Sequence, residues 1–150
     1  MSELYLYHAT DRKNLQSILD QGLLINPPQH AYTSFGESVN GKIFLAFSAE
    51  VAESYAEGAD EEIEDIVVLK IKFSSLNENN FGYDWNNRCE YYKDINSCVY
   101  YSDIPGNCIQ ECKASNEPSQ NIFTFKNSGM YEIVMDTFDY ECETNLENEE

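Results

Sequence analysis

Two side chains in the first part of the chain have the chemistry to bind a ligand, the imidazole of His8 and the phenol ring of Tyr55. An imidazole exchanges a proton near neutral pH, and a flat aromatic ring can stack on another ring. A lone histidine is more often structural, and an aromatic residue on the apolar face of a short helix usually belongs to the core. The segments around the two residues therefore decide between these interpretations.

The residues around His8 predict a strand followed by a helix. Leu4 to His8 is rich in strand formers, so the strand would deliver His8 to its C-terminal end. Thr10 and Asp11 are capping residues, and apolar residues then recur at helical spacing before Gly22, which suits a C-terminal cap. A histidine between such elements is held at a sheet edge with its ring free for a ligand.

A second strand and helix are predicted around Tyr55. Ile43 to Phe47 is a short apolar run, and Ser48 is a natural N-cap for a helix over Ala49 to Glu57. Tyr55 falls on the apolar face of this helix.

Taken in order, these segments resemble the NAD-binding half of poly- and mono-ADP-ribosyltransferases, including small bacterial and phage relatives. That family has a strand ending in His-Gly-Ser/Thr, a helix closing on a Gln-Gly-Leu-like turn, and a Tyr-Phe-Ala strand that leads into a helix with a stacking tyrosine. The matching residues here are His8-Ala9-Thr10, Gln21-Gly22-Leu23, Phe44-Leu45-Ala46 and Tyr55.

The resemblance implies an α+β fold, with a split, mostly antiparallel sheet and short helices, and NAD bound in its cleft as a substrate. Tyr55 would stack on the nicotinamide, His8 would hold the adenosine-side ribose, and the Ala9 backbone would bind the carboxamide. The full set of NAD-binding residues that it implies is His8, Ala9, Thr10, Phe44, Ser48, Ala52 and Tyr55.

Three of these positions depart from the family pattern. Ala9 replaces the usual glycine, which adds a methyl group where the carboxamide approaches the backbone. Phe44 replaces a tyrosine and Ala52 replaces a small hydroxyl residue, so two polar contacts to the ligand are lost. These changes would weaken NAD binding without excluding it.

Two segments compete for the catalytic glutamate position, where a carboxylate would stabilise the oxocarbenium-like transition state. The segment from Asn96 to Ile109 would place Ser97 or Cys98 there. The segment from Gly129 to Phe138 resembles a Glu-Tyr-Ile-Val-Tyr-Asp strand, and the register of that strand would decide whether Tyr131 or Glu132 faces the site. The catalytic candidates are therefore Glu132, Tyr131 and Cys98.

The rest of the chain predicts further elements. Ile66 to Phe73 is typical of a central strand, and Leu76 to Tyr92 of a long insert bordering the cleft, in which Tyr83 and Trp85 would contact an acceptor or cap the core. Asn121–Lys126 and Met130–Phe138 would form a hairpin. We expect one domain over 1–140 and an acidic tail over 141–150.

The chain has 150 residues and a formal net charge of -18, which makes direct nucleic-acid binding unfavourable and favours a basic protein partner. No apolar run is long enough to span a membrane, so we expect a cytoplasmic protein without a membrane partner. The five cysteines are an odd number without a CxxC pair, and Ile104-Pro105 before Cys108 and Cys112 favours a strand there, so we predict no metal site.

Three functions fit these patterns. The first is a mono-ADP-ribosyltransferase that uses NAD to modify a protein or another acceptor. The second is a tRNA 2′-phosphotransferase, which needs basic residues for the RNA phosphate, whereas only Arg12 and Lys13 lie close to the first motif. The third is a non-catalytic acidic protein that imitates nucleic acid and occupies a basic groove on another protein.

Overall fold

In the part of the chain that the structure describes, six strands pair in one antiparallel sheet, in the order β4-β5-β2-β1-β3-β6. The computed structural model describes residues 3–25, 41–59 and 65–148. The strands are β1 (Tyr5–Asp11), β2 (Ile43–Ala46), β3 (Ile66–Lys72), β4 (Phe81–Tyr83), β5 (Ser97–Tyr100) and β6 (Ile109–Cys112). The α-helices are α1 (Leu15–Gln21), α2 (Ala49–Ala59) and α3 (Gly129–Asn148). The fold is therefore α+β, as predicted.

The sheet is weakly joined at its centre, between β1 and β2. β1 and β3 pair over seven positions, from Tyr5 with Lys72 to Asp11 with Ile66. β2 and β5 pair over four positions, whereas β1 and β2 share a single pair, Tyr7 with Ala46. On either side of that pair, β1 and β2 have no registered backbone pairs.

The two faces of the sheet carry different cores. The larger core includes Leu6 and Leu69 and is covered by α1 and α3, while the smaller one includes Tyr7 and is covered by α2. Successive strand residues face opposite sides, so the side chain of His8 projects from the same face as Leu6. Its cross-strand partner Leu69 lies in the larger core, which agrees with this placement.

The local predictions for the first half of the chain are confirmed, apart from the end of β1. Asp11 accepts a hydrogen bond from the Lys13 N–H, Gly22 ends α1, and Ser48 accepts one from the Val51 N–H at the start of α2. β1 continues to Asp11, so His8 lies within the strand and not at its C-terminal end. Pairing with β3 extends β1, because each residue up to Asp11 has a partner there.

Gly22 is held in a conformation that favours glycine, with a φ of 89°. Its neighbour Leu23 forms a two-bond bridge with Ile104, and a Cβ on Gly22 would overlap the Ile104 carbonyl oxygen. We expect Gly22→Ala to lower the free energy of unfolding by about 3 kcal/mol, from strain and overlap together. Gly41 has a φ of 84° and open space around a Cβ, so Gly41→Ala should cost only about 1 kcal/mol. Denaturant unfolding measures both, and equal losses would contradict the role of Ile104.

The predicted hairpin at the C-terminal end is wrong. Ile122–Phe125 forms a 3-10 helix, and the segment assigned to the second strand lies in α3. Met130, Val134 and Phe138 recur at four-residue spacing and are buried in the larger core, which explains the helix. α3 also continues past position 140, so no element ends at the predicted boundary between domain and tail.

The insert after β3 contributes to the sheet and its core. It supplies the edge strand β4, in which Tyr83 is buried, and the Trp85 ring packs edge-on against it at 4.9 Å. Tyr83 and Trp85 therefore cap the core. β6 confirms the strand expected around Cys112. In the described part of the chain, no helix is both long and apolar enough to cross a membrane.

Candidate functional site

The gap between β1 and β2 is the part of the β1 edge, on either side of the Tyr7 and Ala46 pair, that has no registered partner in β2. Arg12 donates its N–H to the Asp65 carbonyl, and Phe73 donates its N–H to the Leu4 carbonyl, so even-numbered residues of β1 bond toward β3. Alternate residues of an antiparallel strand bond in opposite directions. The N–H and C=O of Tyr7 and Ala9 therefore point toward β2.

The imidazole of His8 donates to the Phe44 carbonyl, which in a regular antiparallel ladder would accept a hydrogen bond from the Ala9 N–H. Continuing from the Tyr7 and Ala46 pair, Ala9 lies opposite Phe44, whose carbonyl faces β1. That carbonyl accepts a hydrogen bond from His8 Nδ1 at 2.7 Å, and Ala9 has no registered partner in β2. The Ala9 peptide group thus faces the gap.

The same hydrogen bond sets the tautomer of His8. A carbonyl oxygen can only accept, so Nδ1 carries the proton. Burial lowers the pKa of His8, against the smaller opposing effect of the Phe44 carbonyl. The ring is therefore neutral near pH 7, and its Nε2 is an acceptor suited to a hydroxyl donor such as a ribose.

The lowered pKa of His8 predicts how stability changes with pH. In the unfolded chain His8 binds a proton as pH falls through about 6.5, whereas the folded chain resists protonation until a lower pH. Unfolding is therefore favoured by acid in this window. We expect wild type to lose more thermal stability than His8→Gln between pH 8 and pH 5. Parallel pH profiles for the two chains would contradict this.

On the other side of the Tyr7 and Ala46 pair, the side-chain amide of Gln120 fills the gap. Its Nε2 donates to the Tyr5 carbonyl at 2.6 Å and to the Phe47 carbonyl at 3.0 Å, and its Oε1 accepts from the Tyr5 N–H at 3.4 Å. Tyr5 lies on the same edge of β1 as Ala9. The edge of β1 therefore already binds one primary carboxamide through a backbone N–H and C=O.

Tyr55 lies on the opposite face of the sheet from His8. Its helix packs through Ala49 and Ala52 on the smaller core, and its phenol donates to Asn96 Oδ1 at 2.5 Å. Burial is the main cause that raises the pKa of Tyr55, so the phenol stays protonated. The two side chains predicted to bind one ligand do not share a face, because the sheet lies between them.

A buried carboxylate lies close to Tyr55. Asp84 is only 1% exposed, and its Oδ2 accepts hydrogen bonds from Ser97 Oγ at 2.9 Å and from Asn87 Nδ2 at 2.6 Å. Ser97 is 3% exposed, and its chain neighbour Asn96 accepts the hydrogen bond from the Tyr55 phenol. Asp84 is thus hydrogen-bonded to the residue that follows the acceptor of the Tyr55 phenol in sequence.

The three catalytic candidates do not reach this region. Cys98 is fully buried in the larger core, and burial raises the pKa of its thiol, which stays protonated. Tyr131 lies in α3 and packs against the larger core, and Glu132 is exposed in the first turn of the same helix. The segment that was expected to form a strand with Tyr131 or Glu132 facing the site is helical, so neither residue has a strand register.

The remaining candidate residues have structural contacts. Thr10 is buried and its hydroxyl accepts from Asn14 Nδ2 at 3.1 Å. Ala52 is buried against the smaller core, and Ser48 caps α2. Sequence patterns missed Asp84 and Gln120, because both act through contacts between distant segments and neither carries a local motif. Within the described ranges, no group of three His, Cys, Asp or Glu side chains could hold a metal ion.

The described residues thus define an α+β protein with an antiparallel sheet that opens between β1 and β2. No protein-family model matches the chain, and neither does any curated protein. Among solved structures, the chain is similar to one named EcPltA, with 14% sequence identity, 80% of this chain and 91% of that chain covered, and a TM-score of 0.45.

Proposed function

We propose that this chain is an NAD-dependent mono-ADP-ribosyltransferase with an ADP-ribosyltransferase-like fold. The observation that carries the proposal is that the Ala9 peptide group, at the edge of β1, faces the gap. It does so because the Phe44 carbonyl accepts its hydrogen bond from His8 and not from Ala9. This position is the one that the sequence resemblance assigns to the nicotinamide carboxamide.

The chemistry of the gap fits a carboxamide. The Ala9 N–H can donate to the amide oxygen and the Ala9 C=O can accept from the amide nitrogen. The Gln120 amide is bound to Tyr5 by the same pair of backbone groups. On one face of the sheet His8 would offer Nε2 to a ribose hydroxyl, and on the other face, across the gap, the Tyr55 ring would supply a flat surface for stacking.

The reaction separates nicotinamide from the ribose. The bond between the nicotinamide nitrogen and C1′ of the ribose breaks, and its electron pair leaves with the nicotinamide. Positive charge then develops on the ribose, and the acceptor forms a bond to C1′ and loses a proton to solvent. The protein must hold the leaving group and stabilise the positive charge.

The charge of the chain supports a basic protein as the acceptor. With 27 acidic residues against nine basic ones, the chain attracts cationic surfaces and repels nucleic-acid phosphates. Arg12, the arginine near the first motif, is bound by Asp65 and Glu111. This pairing is a further reason to prefer a protein acceptor over an RNA phosphate.

The test is to incubate the purified chain with NAD labelled in its adenylate part, together with basic proteins from a lysate. We expect labelled protein and free nicotinamide from wild type, and a loss of at least tenfold in both from Tyr55→Ala. Tyr140→Ala, which changes an exposed tyrosine in α3, should behave as wild type. If folded wild type produces no labelled protein and releases no nicotinamide, that result would contradict an enzymatic function.

A non-catalytic acidic binding protein is the second candidate, and one observation favours it. β5 places Ser97 and Cys98, and no carboxylate, on the strand next to β2. In that case the chain would bind a basic protein in a salt-sensitive manner without releasing nicotinamide, and Tyr55→Ala would leave the binding unchanged.

A further inference from the structure

We propose that Asp84 is the acidic group of this site, and that it acts through Ser97 as a positioning residue for ADP-ribosyl transfer. This role rests on the proposed function. It would replace the glutamate that neither β5 nor α3 supplies.

The strand register places Asp84 in a row of residues that leads to the gap. Tyr83 pairs with Cys98, so Asp84 follows opposite Ser97. Ser97 pairs with Ala46, and Ala46 pairs with Tyr7, the residue two positions before Ala9. Tyr83 and Cys98 point into the larger core, so Asp84 and Ser97 project from the face that α2 covers.

The contacts of Asp84 connect it to the proposed stacking residue. Ser97 donates its hydroxyl to Asp84 Oδ2 at 2.9 Å, and the adjacent residue Asn96 accepts from the Tyr55 phenol at 2.5 Å. Asp84 in turn interacts electrostatically with the phenol. Hydrogen bonds among buried groups strengthen one another, so the carboxylate fixes the orientation of Ser97 and, through the neighbouring Asn96, that of the Tyr55 phenol.

A buried carboxylate at this position also favours the charge that the reaction creates. Positive charge develops on the ribose as the bond to nicotinamide breaks, and an anion in a water-poor environment favours that charge more than the same anion in water would. Asp84 exchanges no proton in this scheme, because the acceptor releases its proton to solvent. Its effect should appear in turnover more than in NAD affinity.

A purely structural role makes a different prediction. Asp84 begins the 3-10 turn Trp85–Asn87, and Asn87 donates to it both from its backbone and from its side chain. If Asp84 only anchors this turn, Asn87→Ala should disturb the protein as Asp84→Asn does. If the charge matters, the two variants should differ in turnover.

The experiment measures nicotinamide release from NAD, with water as the acceptor, and NAD affinity by calorimetry. We expect Asp84→Asn to lower kcat by about a hundredfold with NAD affinity within threefold of wild type. Ser97→Ala should lower kcat by at least tenfold, and Asn87→Ala should stay within threefold of wild type. Melting temperatures establish that each variant is folded.

The outcomes separate this inference from the proposed function. Wild-type turnover in folded Asp84→Asn would overturn the role of Asp84 and leave the enzymatic assignment intact. If Asp84→Asn does not fold, the test falls on Ser97→Ala. An unchanged kcat in that variant would then overturn the role of Asp84. A wild-type chain that neither binds nor cleaves NAD would remove both proposals.

Discussion

Replacing Ala9 with valine should weaken NAD binding by about tenfold to a hundredfold. The side chain of Ala9 lies on the α2 face of the sheet, beside the smaller core, and its peptide group faces the gap. Two additional methyl groups at this position would push the carboxamide away from the Ala9 backbone, at a cost of about 1 to 3 kcal/mol. Calorimetric titration with NAD measures the change.

A matched series at the same position tests the cause. Ala9→Gly restores the residue that the family carries and should bind NAD more tightly than wild type. Ala114→Val adds the same two methyl groups next to the smaller core but away from the gap, and should leave NAD affinity within threefold. Equal affinities for Ala9→Val and Ala9→Gly would contradict a carboxamide site at Ala9.

Replacing Lys70 with methionine should destabilise the folded protein by about 3 kcal/mol. Lys70 Nζ lies 2.8 Å from Glu117 Oε1, and their side chains are only 18% and 9% exposed. The Tyr7 phenol donates to the same oxygen at 2.9 Å. Removing the ammonium leaves a largely buried carboxylate without its cation, to which the Tyr7 hydroxyl still donates. Denaturant unfolding measures the loss.

Two further variants distinguish this explanation from a general effect of lost charge. Arg12 contacts Asp65 and Glu111 at the surface with 46% of its side chain exposed, so Arg12→Met should cost less than about 1 kcal/mol. Lys70→Met combined with Glu117→Leu removes both charges and should recover most of the loss. A loss for Lys70→Met no larger than that for Arg12→Met would show that the pair is not stabilising.

Local patterns predicted the first half of the fold because its elements are defined by residues close in sequence. Gly22 ends α1 and Ser48 starts α2, and each does so through a conformation or hydrogen bond within a few positions. The apolar run of β3 was recognised because a central strand is buried on both faces. Such signals need no knowledge of the tertiary structure.

The hairpin prediction for the C-terminal segment was wrong because the composition of this segment is compatible with both a strand and a helix. Ile133 and Val134 are β-branched and follow a turn-like Asn127 to Gly129, which is typical of a hairpin. Burial of Met130, Val134 and Phe138 against the larger core selects the helix. That choice depends on the sheet that the helix covers, so the segment alone does not determine it.

The site was predicted in part for a similar reason. His8 and Ala9 were identified from their motif, but the hydrogen bond from His8 to Phe44 joins residues 36 positions apart. The Gln120 amide reaches Tyr5 across 115 positions, and Ser97 reaches Asp84 across 13. No local spacing encodes these contacts, and they are the ones that define the gap and its buried carboxylate.

The most direct test of the central claim is a titration of the amide-labelled protein with nicotinamide, followed by NMR. We predict that the Ala9 amide resonance shifts most and saturates, because its N–H would donate to the added carboxamide. The Tyr5 amide, which Gln120 already occupies, should move little. Saturating shifts that leave Ala9 unaffected, or no shifts at all in the folded protein at millimolar nicotinamide, would contradict the account.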